Sequence, residues 1–242
     1  MRIMGKKIDS KIFDSSNKKT LMKWGDVYNC TKSLIPQALM LIHTVRHVHT
    51  QANRSPLLNQ DAESAFNSWD VISTSLIEYR SKYIRSQWAN VGLLLAVPPQ
   101  NIIGTFSEDV SFQNHAGIKE NNSFALAESY FNGTPKLFEG KKAKERFNYI
   151  REHLLPNKSY AHITTPENLM INSKHKRYNE VLVVGKSNVN IHAGFPPTGH
   201  ITVCGIYHLT TFGNKTDPDD EKLIGQLKVL NPNVPVIRQE VY

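Results

Sequence analysis

Short apolar runs, each ended by proline or glycine, constrain this chain more than any other feature of its sequence. The clearest run is Leu93–Val97, which stops at Pro98 and Pro99, and a second run, residues 181–184, stops at Gly185. Runs of this length and composition are typical of buried strands, whereas a membrane-spanning helix needs about 20 consecutive apolar residues. We therefore predict a globular fold with short strands in its core and no membrane span.

The remaining segments predict a mixed α+β fold. Branched or alternating apolar residues predict strands over residues 39–48, 69–75, 93–97 with its extension 101–105, 180–184 and 201–209. Apolar residues at helical spacing predict helices over residues 61–66, 76–88, 124–131 and 142–155. A helix remains an alternative for the first of these strands. Residues 108–172 contain helical patterns and no predicted strand, and we predict that they form a helical insertion.

Length and composition favour one domain without disulfide bonds. The chain has 242 residues, of which 40% are hydrophobic, and two cysteines, Cys30 and Cys204. We divide it into a polar N-terminal leader, residues 1–30, and a single domain, residues 31–242. Residues 1–20 contain no apolar stretch of the kind that marks a secretory signal peptide. Two free thiols suit a reducing cytosol.

The net charge of +8 favours an anionic partner, such as a nucleotide, a nucleic acid or an acidic protein surface. An ordinary solvated basic surface is the alternative. Basic and aromatic residues do not alternate on one predicted sheet face, so we expect no nucleic-acid partner.

Three polar features stand at the edges of predicted strands. Arg46 ends the first apolar strand, Ser73, Thr74 and Ser75 end the second, and Glu180 comes directly before four apolar residues. A charged group at the edge of a buried strand must be exposed, paired or functional, because burying it unpaired costs several kcal/mol. Taken singly, each feature has an ordinary explanation: a strand-edge arginine, a hydroxyl cluster that caps the next helix, and a strand-edge glutamate.

Taken together and in this order, the three features resemble the mono-ADP-ribosyltransferase family in its Arg–Ser–Glu, cholera-toxin-like branch. That family has an arginine on the first core strand, a Ser-Thr-Ser strand followed by a helix, and a catalytic glutamate that opens a later strand. Residues 91–104 and 201–207 also resemble strands of the family, so the similarity extends over residues 36–210. The resemblance implies a split β-sandwich of two small sheets with flanking helices.

The resemblance also implies roles for these residues in cleaving the nicotinamide–ribose bond of NAD. Glu180 would stabilise the oxocarbenium-like charge on the ribose, as a carboxylate does in glycoside cleavage. Ser73 would orient that carboxylate, and Arg46 would hold the pyrophosphate through forked contacts. Thr74 and Ser75 would shape the nicotinamide pocket and begin the next helix.

Rival candidates exist for the arginine. Arg46 is preferred over Arg54, Arg80 and Arg85, because only Arg46 lies in a predicted core strand. The diphtheria-toxin-like branch would use a histidine instead, such as His43. We reject that branch because it expects paired tyrosines where Ser-Thr-Ser stands here.

No metal is expected. His43, His47 and His49 have the spacing of a strand, and we interpret them as an exposed, histidine-rich strand end rather than a ligand set. The family's chemistry requires no metal, because nicotinamide is a good leaving group.

One position departs from the family pattern. Tyr178 stands two residues before Glu180, where enzymes that modify arginine usually carry glutamate and others often carry glutamine. The acceptor side chain is therefore open, and so is transfer itself. Lys176 and Arg177 lie in the loop that contacts the acceptor protein in the family, which favours an acceptor with an acidic surface. A solvated loop is the alternative.

The leading hypothesis is a mono-ADP-ribosyltransferase that transfers ADP-ribose from NAD to a host protein. Such an enzyme would be a bacterial effector or toxin, made in the bacterial cytoplasm and translocated into a host cell without a classical signal peptide. One alternative is an NAD glycohydrolase that uses the same site with water as the acceptor. Another is a non-enzymatic basic binding module, which would bind no NAD and would depend steeply on salt.

Overall fold

The structure is a computed structural model that describes the following part of the chain: residues 6–7, 18–45, 56–69, 71–81, 89–108, 163–174, 178–190, 192, 194–211 and 217–241. Four α-helices lie in this part: α1 (Lys18–Ser33), α2 (Ala62–Ser68), α3 (Pro166–Asn172) and α4 (Pro218–Leu230). Two short 3₁₀ helices span Pro56–Leu58 and Pro99–Asn101.

The same residues contain nine strands: β1 (Lys6–Lys7), β2 (Leu39–Val45), β3 (Ile72–Glu78), β4 (Val91–Ala96), β5 (Ile102–Phe106), β6 (Glu180–Val183), β7 (Val189–Asn190), β8 (Thr202–Thr211) and β9 (Val236–Val241). Seven of them follow the order β5-β6-β3-β2-β4-β8-β9, and β1 pairs with β7. Neighbours in the large sheet are antiparallel except β8 and β9, which are parallel. The predicted α+β class is confirmed.

The sheet divides at β3. Residues 72–74 of this strand pair with β6, whereas residues 75–78 pair with β2. β3 therefore pairs with β6 along its first half and with β2 along its second half. It connects two groups of strands within one hydrogen-bonded order. One group contains β5, β6 and the first half of β3, and the other contains the second half of β3 with β2, β4, β8 and β9.

Apolar side chains cover both faces of the large sheet. The larger cluster packs α1, α2 and α4 against one face and includes Trp24, Phe66 and Leu41. The smaller cluster lies on the opposite face, around Ile42 and Tyr207. Leu41 and Ile42 are consecutive in β2 and contribute to different clusters, because successive side chains of a strand point to opposite faces.

α1 begins within the segment predicted as a leader. Residues 18–30 are helical, and Leu21, Trp24 and Val27 are buried at helical spacing. The indole Nε1 of Trp24 donates a hydrogen bond of 3.0 Å to the carbonyl oxygen of Thr164, just before α3. This part of the chain therefore contributes directly to the core.

α2 matches the predicted short helix and packs tightly against the end of β6. Asp61 caps it, accepting a hydrogen bond from the Ser64 backbone N–H. A Cβ on Gly185 would lie 2.0 Å from the carbonyl oxygen of Phe66 and 2.5 Å from that of Trp69. Only a residue without a side chain allows this close approach.

The predicted helix over residues 76–88 is wrong where the structure describes it. Residues 76–78 form the second half of β3, and a turn follows in which Arg80 has a φ of 57°. Residues 82–88 lie outside the described residues. Leu76 and Ile77 are buried in an extended strand because β2 pairs with them along its length, and this pairing overrides a helical spacing of apolar residues.

The other strand predictions are confirmed with shifted ends, whereas the C-terminal elements were not predicted. Residues 217–241 form α4 and the edge strand β9. The local signals for α4 are present: Asp217 caps it, Pro218 occupies its first turn, and acidic residues follow.

Of the predicted insertion, residues 109–162 lie outside the described residues, including both helices predicted there, and α3 forms the end of the segment.

Candidate functional site

Ser73 and Glu180, separated by 107 residues of sequence, are in direct contact. The Ser73 hydroxyl Oγ donates a 2.6 Å hydrogen bond to Oε1 of the Glu180 carboxylate. Ser73 lies opposite Leu182 in the pairing of β3 with β6, so Glu180 is its diagonal neighbour on the same face. Glu180 is only 3% exposed. A short hydrogen bond to a buried carboxylate fixes the direction in which that carboxylate points.

The hydroxyls of Thr74 and Ser75 attach β3 to β6 rather than cap a helix. Thr74 Oγ1 donates to the carbonyl oxygen of Val181 at 2.8 Å, and Ser75 Oγ donates to that of Asn179 at 2.9 Å. Both residues are buried. The expectation that they begin a helix is wrong, because β3 continues through them to Glu78.

Asn179 was not identified as a site residue from sequence. It lies directly before β6, next to Glu180. Its side-chain Oδ1 accepts a 2.7 Å hydrogen bond from the backbone N–H of Leu76, and its Nδ2 donates a 3.0 Å hydrogen bond to the carbonyl oxygen of Leu76. Asn179 is fully buried. Its position directly before a buried strand was the available signal, but its partner could only be found from the register of β3.

The side chain of His43, on β2, contacts the backbone of Ser73, just beyond the last residue pair between β2 and β3. Its Nδ1 lies 2.8 Å from the carbonyl oxygen of Ser73. A carbonyl oxygen only accepts hydrogen bonds, so Nδ1 carries the hydrogen and donates it to Ser73. The ring packs edge-on against Phe66 and Trp69 at centroid distances of 5.2 and 5.7 Å. The interpretation of His43 as part of an exposed strand end is therefore wrong.

The remaining predicted site residues are mostly beyond what the structure describes. Tyr178 is half-buried and precedes Asn179 on the approach to β6. Seven residues named in the sequence analysis lie outside the described residues: Arg46, His47, His49, Arg54, Arg85, Lys176 and Arg177. The structure therefore brings together Ser73, Thr74, Ser75 and Glu180.

His192 is hydrogen-bonded to the start of β5, the strand that pairs with β6. Its Nε2 donates a 2.6 Å hydrogen bond to the carbonyl oxygen of Ile102, at the start of β5. Burial lowers the pKa of His192 to about 4, because a charged imidazolium would lose its hydration there, and the hydrogen bond to Ile102 opposes this shift only in part.

The chemistry available at this site is that of an oriented carboxylate. Glu180 is held in a fixed direction by Ser73, and a carboxylate held in this way stabilises a cationic centre beside it. Within the described residues, no group of three or more His, Cys, Asp or Glu side chains could hold a metal ion. No helix in that part of the chain is both long and apolar enough to cross a membrane.

Comparisons with protein-family models, with curated proteins and with solved structures find no match for this chain.

Proposed function

We propose that this protein is an NAD-dependent mono-ADP-ribosyltransferase that modifies a protein side chain. The observation that carries the proposal is the hydrogen bond from Ser73 to the buried carboxylate of Glu180. The sequence resemblance pairs a serine and a glutamate for this purpose, and the contact between them supports that pairing. The α+β fold, with its sheet divided at Ser73–Ser75, agrees with the split sheet that the resemblance implies.

In this proposal Glu180 acts on the ribose of NAD. Departure of nicotinamide leaves positive charge on the ribose, and a carboxylate held beside it lowers the energy of that state more than the energy of the bound substrate. The Ser73 hydroxyl holds the carboxylate in place before the substrate arrives, so little reorganisation is needed during the reaction.

The other predicted residues complete the proposed site. Arg46, which directly follows β2, supplies the forked cationic contact for the pyrophosphate. Thr74 and Ser75 hold β6 against β3 through their hydroxyls and thereby keep Glu180 near Ser73. An Arg46→Lys variant should bind NAD more weakly in calorimetry, because lysine cannot make the bidentate contact.

A second candidate function is NAD glycohydrolysis at the same site. The observation that favours it is Tyr178, which stands where the family's transferases usually carry glutamate or glutamine. With no such group to engage an acceptor side chain, water would take the ADP-ribose. The proposed acceptor is otherwise a host protein with an acidic surface, met by Lys176 and Arg177.

The test uses biotin-labelled NAD in eukaryotic cell lysate, with wild type, Glu180→Gln and Glu78→Gln. Glu78 is an exposed glutamate at the end of β3 and serves as the matched control. We expect a labelled protein band with wild type and Glu78→Gln but not with Glu180→Gln. Nicotinamide release without a band would favour the glycohydrolase. Neither product in lysate would contradict both enzymes and favour a basic binding module.

A further inference from the structure

Asn179 occupies a special position in the pairing of β3 with β6. The register pairs Ile72 with Val183 and Thr74 with Val181. Continuing it along β3 brings Leu76 opposite Asn179. At this step the Asn179 side chain bonds both the N–H and the carbonyl oxygen of Leu76, in the way that a neighbouring backbone would. The amide therefore extends the ladder beyond the first residue of β6, which is Glu180.

The same amide also contacts α3. Asn179 Nδ2 lies 3.4 Å from the hydroxyl oxygen of Ser173, and that hydroxyl donates a 2.8 Å hydrogen bond to the carbonyl oxygen of Leu169. Ser173 and Asn179 are both buried, and Leu169 belongs to the core. Ser173 and Asn179 are therefore joined to each other, and Asn179 joins both to β3.

We propose that Asn179 is a positioning residue that holds Glu180 in register with Ser73, an inference that rests on the proposed function. Glu180 is the first residue of β6, and the end of a strand is where pairing is most easily lost. Without the Asn179 amide, the buried N–H and carbonyl of Leu76 lose these partners, and the bond from the Ser75 hydroxyl to the Asn179 carbonyl is left to hold the chain one residue before Glu180. The carboxylate then samples other directions.

Asn101 offers a matched control at the other end of β6. It is also fully buried, and its Nδ2 donates to the carbonyl oxygens of Val184 and Gly199 at 2.8 and 2.9 Å. Its Oδ1 accepts from the Gly199 N–H at 2.8 Å. Replacing Asn101 therefore removes a comparable set of buried hydrogen bonds, but four residues away from Glu180 along the strand.

The experiment compares Asn179→Ala with Asn101→Ala in the full chain. Urea unfolding should show similar losses of stability, because each variant leaves buried backbone groups without their amide partner. We expect the kcat for NAD cleavage to fall about 10–100-fold in Asn179→Ala with little change in KM, since misplacing a catalytic group weakens the transition state more than substrate binding. The kcat of Asn101→Ala should stay within about twofold of wild type, once corrected for the folded fraction.

A spectroscopic measurement separates this inference from the proposed function. With ¹³C in the glutamate carboxyl groups, the Glu180 signal is the one that disappears in Glu180→Gln. We expect that signal to shift in Asn179→Ala and to keep its wild-type position in Asn101→Ala, even if wild type proves unable to cleave NAD. A shift in both variants, or in neither, would overturn the positioning role.

Ser173→Ala keeps the test valid if Asn179→Ala does not fold. This milder variant removes the hydroxyl next to Asn179 Nδ2 and leaves both bonds to Leu76 in place. We expect the Glu180 carboxyl signal to move away from its wild-type position and kcat for NAD cleavage to fall, because Asn179 Nδ2 loses its neighbour on the α3 side. An unchanged signal together with wild-type kcat would contradict the inference in that case.

Discussion

The Ser73 hydroxyl and the Glu180 carboxylate form a 2.6 Å hydrogen bond across two antiparallel strands, with Glu180 almost completely buried. The two residues are diagonal neighbours at the point where β3 changes its pairing from β2 to β6. Further side-chain contacts surround this point: Thr74 and Ser75 bind the carbonyls of Val181 and Asn179, Asn179 binds the backbone of Leu76, and His43 binds the carbonyl of Ser73. The division of the sheet is therefore held by side chains as well as by the backbone.

Ser73→Ala should lower NAD turnover by about 10–100-fold, because the Glu180 carboxylate loses the donor that orients it. Stability should fall by about 1–3 kcal/mol, the usual range when a buried polar group loses a hydrogen-bond partner. Kinetics and urea unfolding measure the two effects. Ser68→Ala is the control, since Ser68 Oγ donates to the Ala65 carbonyl within α2, away from Glu180. Equal turnover in both variants would count against a role for Ser73.

Gly185→Ala should destabilise the protein severely, because the new Cβ would meet backbone oxygens of Phe66 and Trp69 at distances that real atoms do not adopt. α2 would have to move away from β6. Gly225→Ala is the matched control within α4, where a Cβ meets nothing within 4 Å. That variant should be more stable than wild type by about 0.5–1 kcal/mol, from the better helix propensity of alanine. Thermal unfolding of both variants checks the contrast.

Trp24→Ala should cost about 3–5 kcal/mol, because it leaves a cavity in the core and removes the hydrogen bond to Thr164. Met22 lies on the same helix but is 64% exposed, so Met22→Ala should change stability by less than about 0.5 kcal/mol. Urea denaturation of the two variants decides whether α1 is part of the cooperative unit. Equal and small effects would mean that residues 18–33 are dispensable for folding.

His192 should make stability depend on pH below neutrality. Its folded-state pKa, about 4, lies below the unfolded value of about 6.5, so the unfolded chain binds a proton more readily in this range. The stability contributed by neutral His192 is therefore fully present above about pH 6.5 and is lost as pH falls towards about 4, by up to about 3 kcal/mol.

The pH prediction is measured by urea unfolding of wild type and His192→Gln between those two pH values. The difference in unfolding free energy between the two proteins isolates His192 from the other titrating groups. We expect the wild type to lose more stability than the variant as the solution is acidified. Parallel profiles would contradict the assignment.

Local patterns in the sequence were enough to predict most of the strands and α2. Continuous apolar runs such as residues 93–97 and 181–184 predict buried strands, because a strand that is covered on both faces is apolar throughout, and β4 and β6 lie at these runs. Asp61 caps α2 through a contact within four residues. The candidate pair Ser73 and Glu180 was also identified from sequence, through the order of polar residues at strand edges and the family that this order resembles.

The conformation of Leu76 and the contacts of Asn179 and His43 depend on residues that are distant in the chain. Leu76 has helical spacing with Tyr79, yet it lies in β3 because Leu41 of β2 pairs with it. Asn179 and His43 gained their contacts from a register that no local pattern encodes. Local composition alone marks which segments are apolar enough to be strands. Their order, and hence which side chains meet Glu180, followed from long-range pairing, since hydrogen bonds between strands join residues about a hundred positions apart.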